Sequence, residues 1–281
     1  MRCAWNALLN VLPLWMRDDV DRVGKDQLLE LRLRVGGFPQ LILMESSFYL
    51  DRTVTQDDLN FCVNTSSNYS PWAATTAAYG YVTAPGGHRI GICGNATIHN
   101  GQVSGVSEPT SVCVRVARDF PGIAKNLHRT GKSILIIGKP GSGKTTLLRD
   151  LIRQRSNYGT GSICVVDEKR EVFPLSQGQL CFNPGKQTDI LSGCSKTKGI
   201  EILLRNMAPD TIAVDEITAE ADCKALLHAG WCGVDLIATA HAGNRDDLFT
   251  RSVYKSILNS SIFDTLVILR SNKTWSHERL R

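Results

Sequence analysis

The run Gly138-Lys139-Pro140-Gly141-Ser142-Gly143-Lys144-Thr145-Thr146 has the residue types and spacing to hold a phosphate chain. It fits the pattern G-x-x-x-x-G-K-[ST]. Its glycines permit backbone angles and a close approach that a Cβ would forbid. Successive amide N–H groups can then converge on phosphate oxygens at the positive end of the helix that follows. Lys144 would set a point charge on the β- and γ-phosphates, and the Thr145 hydroxyl would be a ligand for Mg²⁺. A glycine-rich turn that binds nothing has no need of Lys and Thr at those offsets. The chemistry indicated is the binding of a nucleoside triphosphate.

Carboxylates supply the rest. Thr211-Ile-Ala-Val-Asp215-Glu216 is an apolar strand ending in two acids, a Walker B pattern. Asp215 would hold Mg²⁺, directly or through its water, and Glu216 would orient and deprotonate the water that attacks the γ-phosphate. Cys164-Val-Val-Asp167-Glu168, with Glu171 close behind, is a second strand ending in acids, and spacing alone does not exclude it as the metal-binding pair. The later pair is preferred, because a helix is expected after it from near Thr218. In Ile237-Ala-Thr239-Ala-His241 a polar residue could sense the γ-phosphate and His241 could relay that contact. Arg205, just ahead of the Walker B strand, is a further catalytic candidate, with a surface ion pair as the alternative. Cys223, His228 and Cys232 have a loosely metal-like spacing, but they would not share one face of a helix. Three such residues also fall short of a closed zinc site.

The elements that must position these groups read as two sets. Up to about residue 117 the signals are strands and hairpins. Leu29-Glu-Leu-Arg-Leu-Arg-Val35 alternates strictly, a Gly36-Gly-Phe-Pro39 turn follows, and Gln40–Met44 returns. Tyr81–Thr83 and His88–Cys93 form a second hairpin, and Ser111–Ala117 is a further strand. A short helical stretch is expected between Asp119-Phe-Pro-Gly122 and the phosphate-loop strand. Beyond it, Ile134–Ile137, Ile163–Val166, Thr211–Val214, Leu236–Thr239 and Leu266–Leu269 are short apolar strands separated by helical segments. That rhythm predicts an α/β fold with a mostly parallel sheet covered on both faces. The division expected is 1–120 as a smaller α+β N-terminal domain and 121–281 as the P-loop domain.

With 281 residues and a net charge of +5 spread without like-charge blocks, nothing marks a nucleic-acid tail. Nine cysteines, none in a CxxC pair, read as reduced thiols of a cytosolic protein. The uncharged stretch Cys3–Met16 is broken by Asn6, Asn10 and Pro13 and lacks a cleavage site, so a first helix docking Leu8, Leu9, Leu12 and Trp15 is expected. No run approaches the roughly 20 apolar residues of a membrane span.

Longer wording then adds to the motifs. ELRLRVGGFP, GYVTAPGGHRIGICG, GKPGSGKTTLLRDLIR, VVDEKREV, QTDILSGCSKTKGIEILLRNMAPDTIAVDEI and LIATAHA resemble the stage III sporulation protein AA family of endospore-forming bacteria. That family is similar to the traffic ATPases of type II and type IV secretion, hexamers of a RecA-like fold preceded by a smaller sheet domain. The resemblance implies an ATP- and Mg²⁺-dependent ATPase on the mother-cell side of the cytoplasm. It would be a homo-oligomer held at the membrane only through embedded proteins of a sporulation channel or secretion complex, with no nucleic acid expected. Asp167, Glu168 and Glu171 match its acidic box, and His241 matches its histidine box. Arg89 and Arg115 stand nearest to the strand arginines that reach the γ-phosphate in those ATPases. DEKRE stands where the family pattern has DERSE, and the tail Trp275–Arg281 replaces a glycine-rich segment. A P-loop protein of nucleic-acid processing and a nucleotide-gated scaffold with slow hydrolysis are the alternative functions.

Overall fold

The computed structural model describes residues 1–67, 80–176 and 178–280. The chain divides into two compact units, Met1–Asp119 with Pro174–Phe182, and Phe120–Phe173 with Asn183–Arg281.

The first unit opens with α1 (Trp5–Asn10) and α2 (Leu14–Val23). Where a single helix was expected, Pro13 caps the second with φ −52° and ψ 140°. A proline cannot continue the helical ladder, so the chain turns there. The residues expected to dock still do: Leu8 and Leu12 are fully buried, and Leu9 and Trp15 pack against the same core. Then follow β1 (Leu28–Arg34), β2 (Gln40–Leu43), β3 (Ser47–Tyr49), α3 (Gln56–Ser67), β4 (Tyr81–Thr83), β5 (Arg89–His99) and β6 (Gln102–Arg115). The sheet order is β3-β2-β1-β6-β5-β4, antiparallel throughout. Strand alternation puts Leu31, Leu33, Leu41, Ile90, Val112 and Val114 on one face, buried with Leu8, Met16, Val20 and Leu59 from the helices. Each such aliphatic side chain contributes about 1.5–3 kcal/mol by leaving water. Beyond this core β5 and β6 run on as an exposed ribbon, closed by Asn100 and Gly101 at φ 52° and 76°.

In the second unit, successive turns replace the expected short helix, with Lys125, Leu127 and Thr130 each donating to the carbonyl three residues back. Next come β7 (Ile134–Gly138), α4 (Lys144–Tyr158) and β8 (Ile163–Asp167). The hairpin of β9 (Leu175–Ser176) and β10 (Gln179–Leu180) belongs to the first unit, which departs from a contiguous division at 120/121. The chain continues through β11 (Thr188–Ser192), α5 (Lys196–Asn206), β12 (Thr211–Ile217), α6 (Glu220–Trp231), β13 (Asp235–His241), α7 (Arg245–Thr250), α8 (Lys255–Asn259), β14 (Thr265–Leu269) and β15 (Trp275–Arg279). Arg281 lies outside the described residues.

The second sheet has the order β11-β8-β12-β13-β7-β14-β15, parallel except for the last pair. Every residue of β7 and β8 is buried, as expected of strands covered on both faces. Because β12, β13 and β7 are neighbours, their C-terminal ends bring Asp215-Glu216, His241 and the glycine-rich loop to one edge, where ligands of such sheets bind. Among the described residues no group of three or more His, Cys, Asp or Glu is placed to hold a metal ion. Burial pushes the Cys223 thiol up to about 11. No helix among the described residues is long and apolar enough to cross a membrane.

Candidate active site

The loop from Gly138 to Gly143 takes its shape from glycine. Gly141 and Gly143 have φ 72° and 104°. A Cβ on Gly138 would stand 2.5 Å from Ser142 Oγ and 2.8 Å from the Leu269 carbonyl, so only glycine fits. Lys139 and Pro140 form the exposed outer side, and Thr146 lies in the first turn of α4. Inside, Lys144 Nζ donates to the carbonyls of Gly138 (2.9 Å) and Lys139 (3.2 Å). It also meets His241 Nδ1 at 3.1 Å. Burial draws the Lys144 ammonium below its usual range, against the pull of Asp215 and Glu216. The Ser142 hydroxyl is buried without a hydrogen-bond partner, a polar atom that an anion in the loop would satisfy.

The two acids of β12 are turned apart by an irregularity in the sheet. Pairing between β12 and β13 stops at Val214–Ala238 and resumes at Ile217–Ala240. Glu216 takes φ 54°, a left-handed conformation that a non-glycine residue adopts at a cost of ~1–3 kcal/mol. Thr239 fills the gap with its side chain: its hydroxyl donates to Asp215 Oδ1 at 2.5 Å and accepts the Glu216 N–H at 2.7 Å. Asp215 Oδ2 in turn accepts from Thr145 Oγ1 at 2.7 Å. Both residues expected at the metal are therefore in contact.

Glu216 Oε1 is 2.6 Å from His241 Nε2, and Oε2 forms an ion pair with Lys169. The lysine contact makes His241 Nδ1 an acceptor, so the neutral ring carries its proton on Nε2 and donates it to Glu216. Burial works to raise the Glu216 carboxyl, but hydrogen bonds from Lys169 and His241 outweigh it and hold the group below the usual carboxylate range. The expected groups Lys144, Thr145, Asp215, Glu216 and His241 thus form one connected cluster.

Other candidates fall elsewhere. Asp167 is buried and spends its carboxylate on the N–H groups of Glu171 (2.9 Å) and Phe173 (2.8 Å). It shapes its own loop, and burial raises its pKa despite those bonds. Glu168 is paired with buried Lys196 at 2.5 Å. Arg205 does not join the cluster: it is exposed at the end of α5 in an i, i+4 pair with Glu201 at 2.7 Å. Arg89 and Arg115 are register partners in the first unit, on the face opposite Ile90 and Val114. There Arg89 lies 4.0 Å from the centre of the Tyr81 ring, and Arg115 pairs with Glu30 at 3.2 Å.

Two lysines at the site were not foreseen. Lys169 reaches Glu216 from the loop after β8, where the DEKRE wording was the available signal. Lys273, in the turn between β14 and β15, donates to the Gly141 carbonyl. No motif marks it, because the contact joins segments far apart in sequence.

The sequence signature of the family described as "Sporulation stage III, protein AA" matches residues 6–278. The chain belongs to that family. It is 34% identical to the stage III sporulation protein AA of Bacillus subtilis (strain 168), over 95% of this chain and 92% of that protein. Among solved structures it resembles the Legionella pneumophila ATPase DotB, with a TM-score of 0.63 and 14% identity, over 96% of this chain and 82% of the other. It also resembles the pilus retraction motor PilT, solved with bound ADP, with a TM-score of 0.61 and 15% identity, over 89% and 76% of the two chains. The chain thus shares the α/β fold of the ATPase DotB and the pilus motor PilT, with its mostly parallel sheet.

Proposed function

We propose that this chain is the ATP-hydrolysing motor of a sporulation-associated membrane secretion or assembly complex. One observation carries the reading: Lys144, Thr145, Asp215, Glu216 and His241 meet at the C-terminal edge of β7, β12 and β13 through direct contacts. The left-handed Gly141 and Gly143, and the unpartnered Ser142 hydroxyl, suit the phosphates of ATP. Thr145 and Asp215 would hold Mg²⁺, which when bound neutralises charge on the β- and γ-phosphate oxygens. Lys144 exchanges its loop carbonyls for phosphate oxygens. Glu216, kept ionised by Lys169 and His241, accepts the proton of the attacking water, and His241 links that event to Lys144.

The fold shared with the ATPase DotB and the pilus motor PilT and the membership of a sporulation family support a ring-forming homo-oligomer, a hexamer. It would work in the mother-cell cytoplasm and dock on membrane-embedded partners. Arg89 or Arg115 of one copy would reach the γ-phosphate held by a neighbour. The deciding measurement is ATP turnover by Glu216→Gln, expected to fall by roughly 10²–10⁴ while ADP and ATP binding persist. Turnover at the parent rate would remove Glu216 from the mechanism.

A further inference from the structure

Helix α4 carries charged and polar side chains that the phosphate chemistry does not use. Arg149, Asp150, Arg153 and Ser156 are only 6%, 1%, 5% and 0% exposed. Buried charges persist when they are paired and hydrogen-bonded. Here most of the bonds go to backbone groups. The Asp150 carboxylate accepts from the N–H groups of Gly122 (2.9 Å) and Ala124 (2.8 Å), and from Arg153 Nη1 at 3.0 Å. Arg149 donates through Nε to the Val172 carbonyl (2.5 Å) and through Nη2 to that of Glu171 (2.9 Å). Arg153 Nε donates to the Asn183 carbonyl at 2.8 Å, and Ser156 Oγ accepts the Gln187 N–H at 2.7 Å.

Those positions share one property. The chain passes from one unit to the other after Asp119, after Phe173 and after Phe182. Gly122, Val172 and Asn183 each stand within a few residues of one such passage. All three are fastened to a single helix, the one that begins with Lys144 and Thr145. An α-helix rises about 1.5 Å per residue and moves as one hydrogen-bonded rod, so a displacement at its phosphate end reaches Arg149 and Arg153.

We propose that Arg149, Asp150 and Arg153 are positioning residues that transmit occupancy of the phosphate loop to all three passages between the units. The proposal rests on the nucleotide reading above and goes beyond it by assigning the coupling to named side chains.

Hydrogen exchange of the full chain, with and without ADP and Mg²⁺, tests it. In the wild type the nucleotide slows exchange in 134–146 and also in 120–127, 171–173 and 183–187, by about tenfold. Arg153→Lys keeps the charge but loses the planar fork that spans Asp150 and the Asn183 carbonyl. Its ADP affinity, read by fluorescence titration, stays within about threefold and 134–146 remains protected, while the slowing at 183–187 disappears. Arg149→Lys does the same at 171–173, so the test survives if either variant fails to fold. Nucleotide-dependent slowing that persists at those segments in the variants overturns the proposal. So does a wild type protected at the loop alone. A wild type that binds no ADP sinks the nucleotide reading itself, and the coupling with it.

Discussion

Thr239 has no charge and sits at the middle of an apolar strand, yet its hydroxyl is the junction between the two acids of the site. Thr239→Val nearly preserves volume but leaves Asp215 and the Glu216 N–H short of a partner in a fully buried position. Losing such a supporting bond typically costs 10–100-fold in metal affinity or activity, so Mg²⁺-dependent turnover should drop by about that factor. Titration of activity against Mg²⁺ checks it, and an unchanged curve would deny Thr239 this role. At this scale the sequence was readable wherever chemistry is tied to a fixed local spacing. Lys144 and Thr145 are set by the strand–loop–helix unit, and Asp215 and Glu216 by a strand end. Lys169 and Lys273 were hidden because their partners lie far along the chain. Arg205 shows the converse: nearness in sequence to β12 did not bring it to the site.

Elements with one buried face could be read, since alternation reports burial directly; β1, β2 and the inner ends of β5 and β6 follow from it. The outer ribbon of β5 and β6 could not, because both its faces meet water. Asn100-Gly101 was the signal available, a pair suited to a turn with both residues at positive φ. Gly101→Val should therefore weaken the ribbon by about 1 kcal/mol, the scale of forcing a side chain into the left-handed region, with little effect on the core. Local hydrogen exchange would register it. A second expectation concerns the packing of the first unit. His88 is fully buried, accepts the Ala117 N–H on Nδ1 at 3.1 Å and bonds the Ala4 carbonyl through Nε2 at 3.0 Å. Burial pulls its pKa down, so the folded chain refuses a proton that the unfolded chain takes up. The stability this contributes is complete above the unfolded value of about 6.5 and is lost as pH falls below it, by up to about 1.4 kcal/mol per pH unit. Denaturant unfolding at pH 7.5 and 5.5 should show that slope in the wild type and a smaller one in His88→Gln.

For the whole molecule, the proposed ring makes turnover depend on assembly. Specific ATPase activity should rise with protein concentration, since an arginine supplied by a neighbour is worth about 10³–10⁵ in rate. Mixing chains that lack the acting arginine, Arg89→Ala or Arg115→Ala, with Glu216→Gln chains should restore part of the activity that each lacks alone. Rates independent of concentration, with no rescue on mixing, would argue for sites that work singly. The architecture as a whole was legible from the rhythm of apolar strands, but not the return of Pro174–Phe182 to the first unit, because that hairpin has strands of two residues each. Its return bears on how the protein is made. As the polypeptide leaves the ribosome, the N-terminal part must wait for residue 182 before it holds all its pieces, and by then β7, α4 and β8 have already been synthesised. The first unit is therefore completed only after these three elements of the second have been made, and the two are interleaved in the order of synthesis.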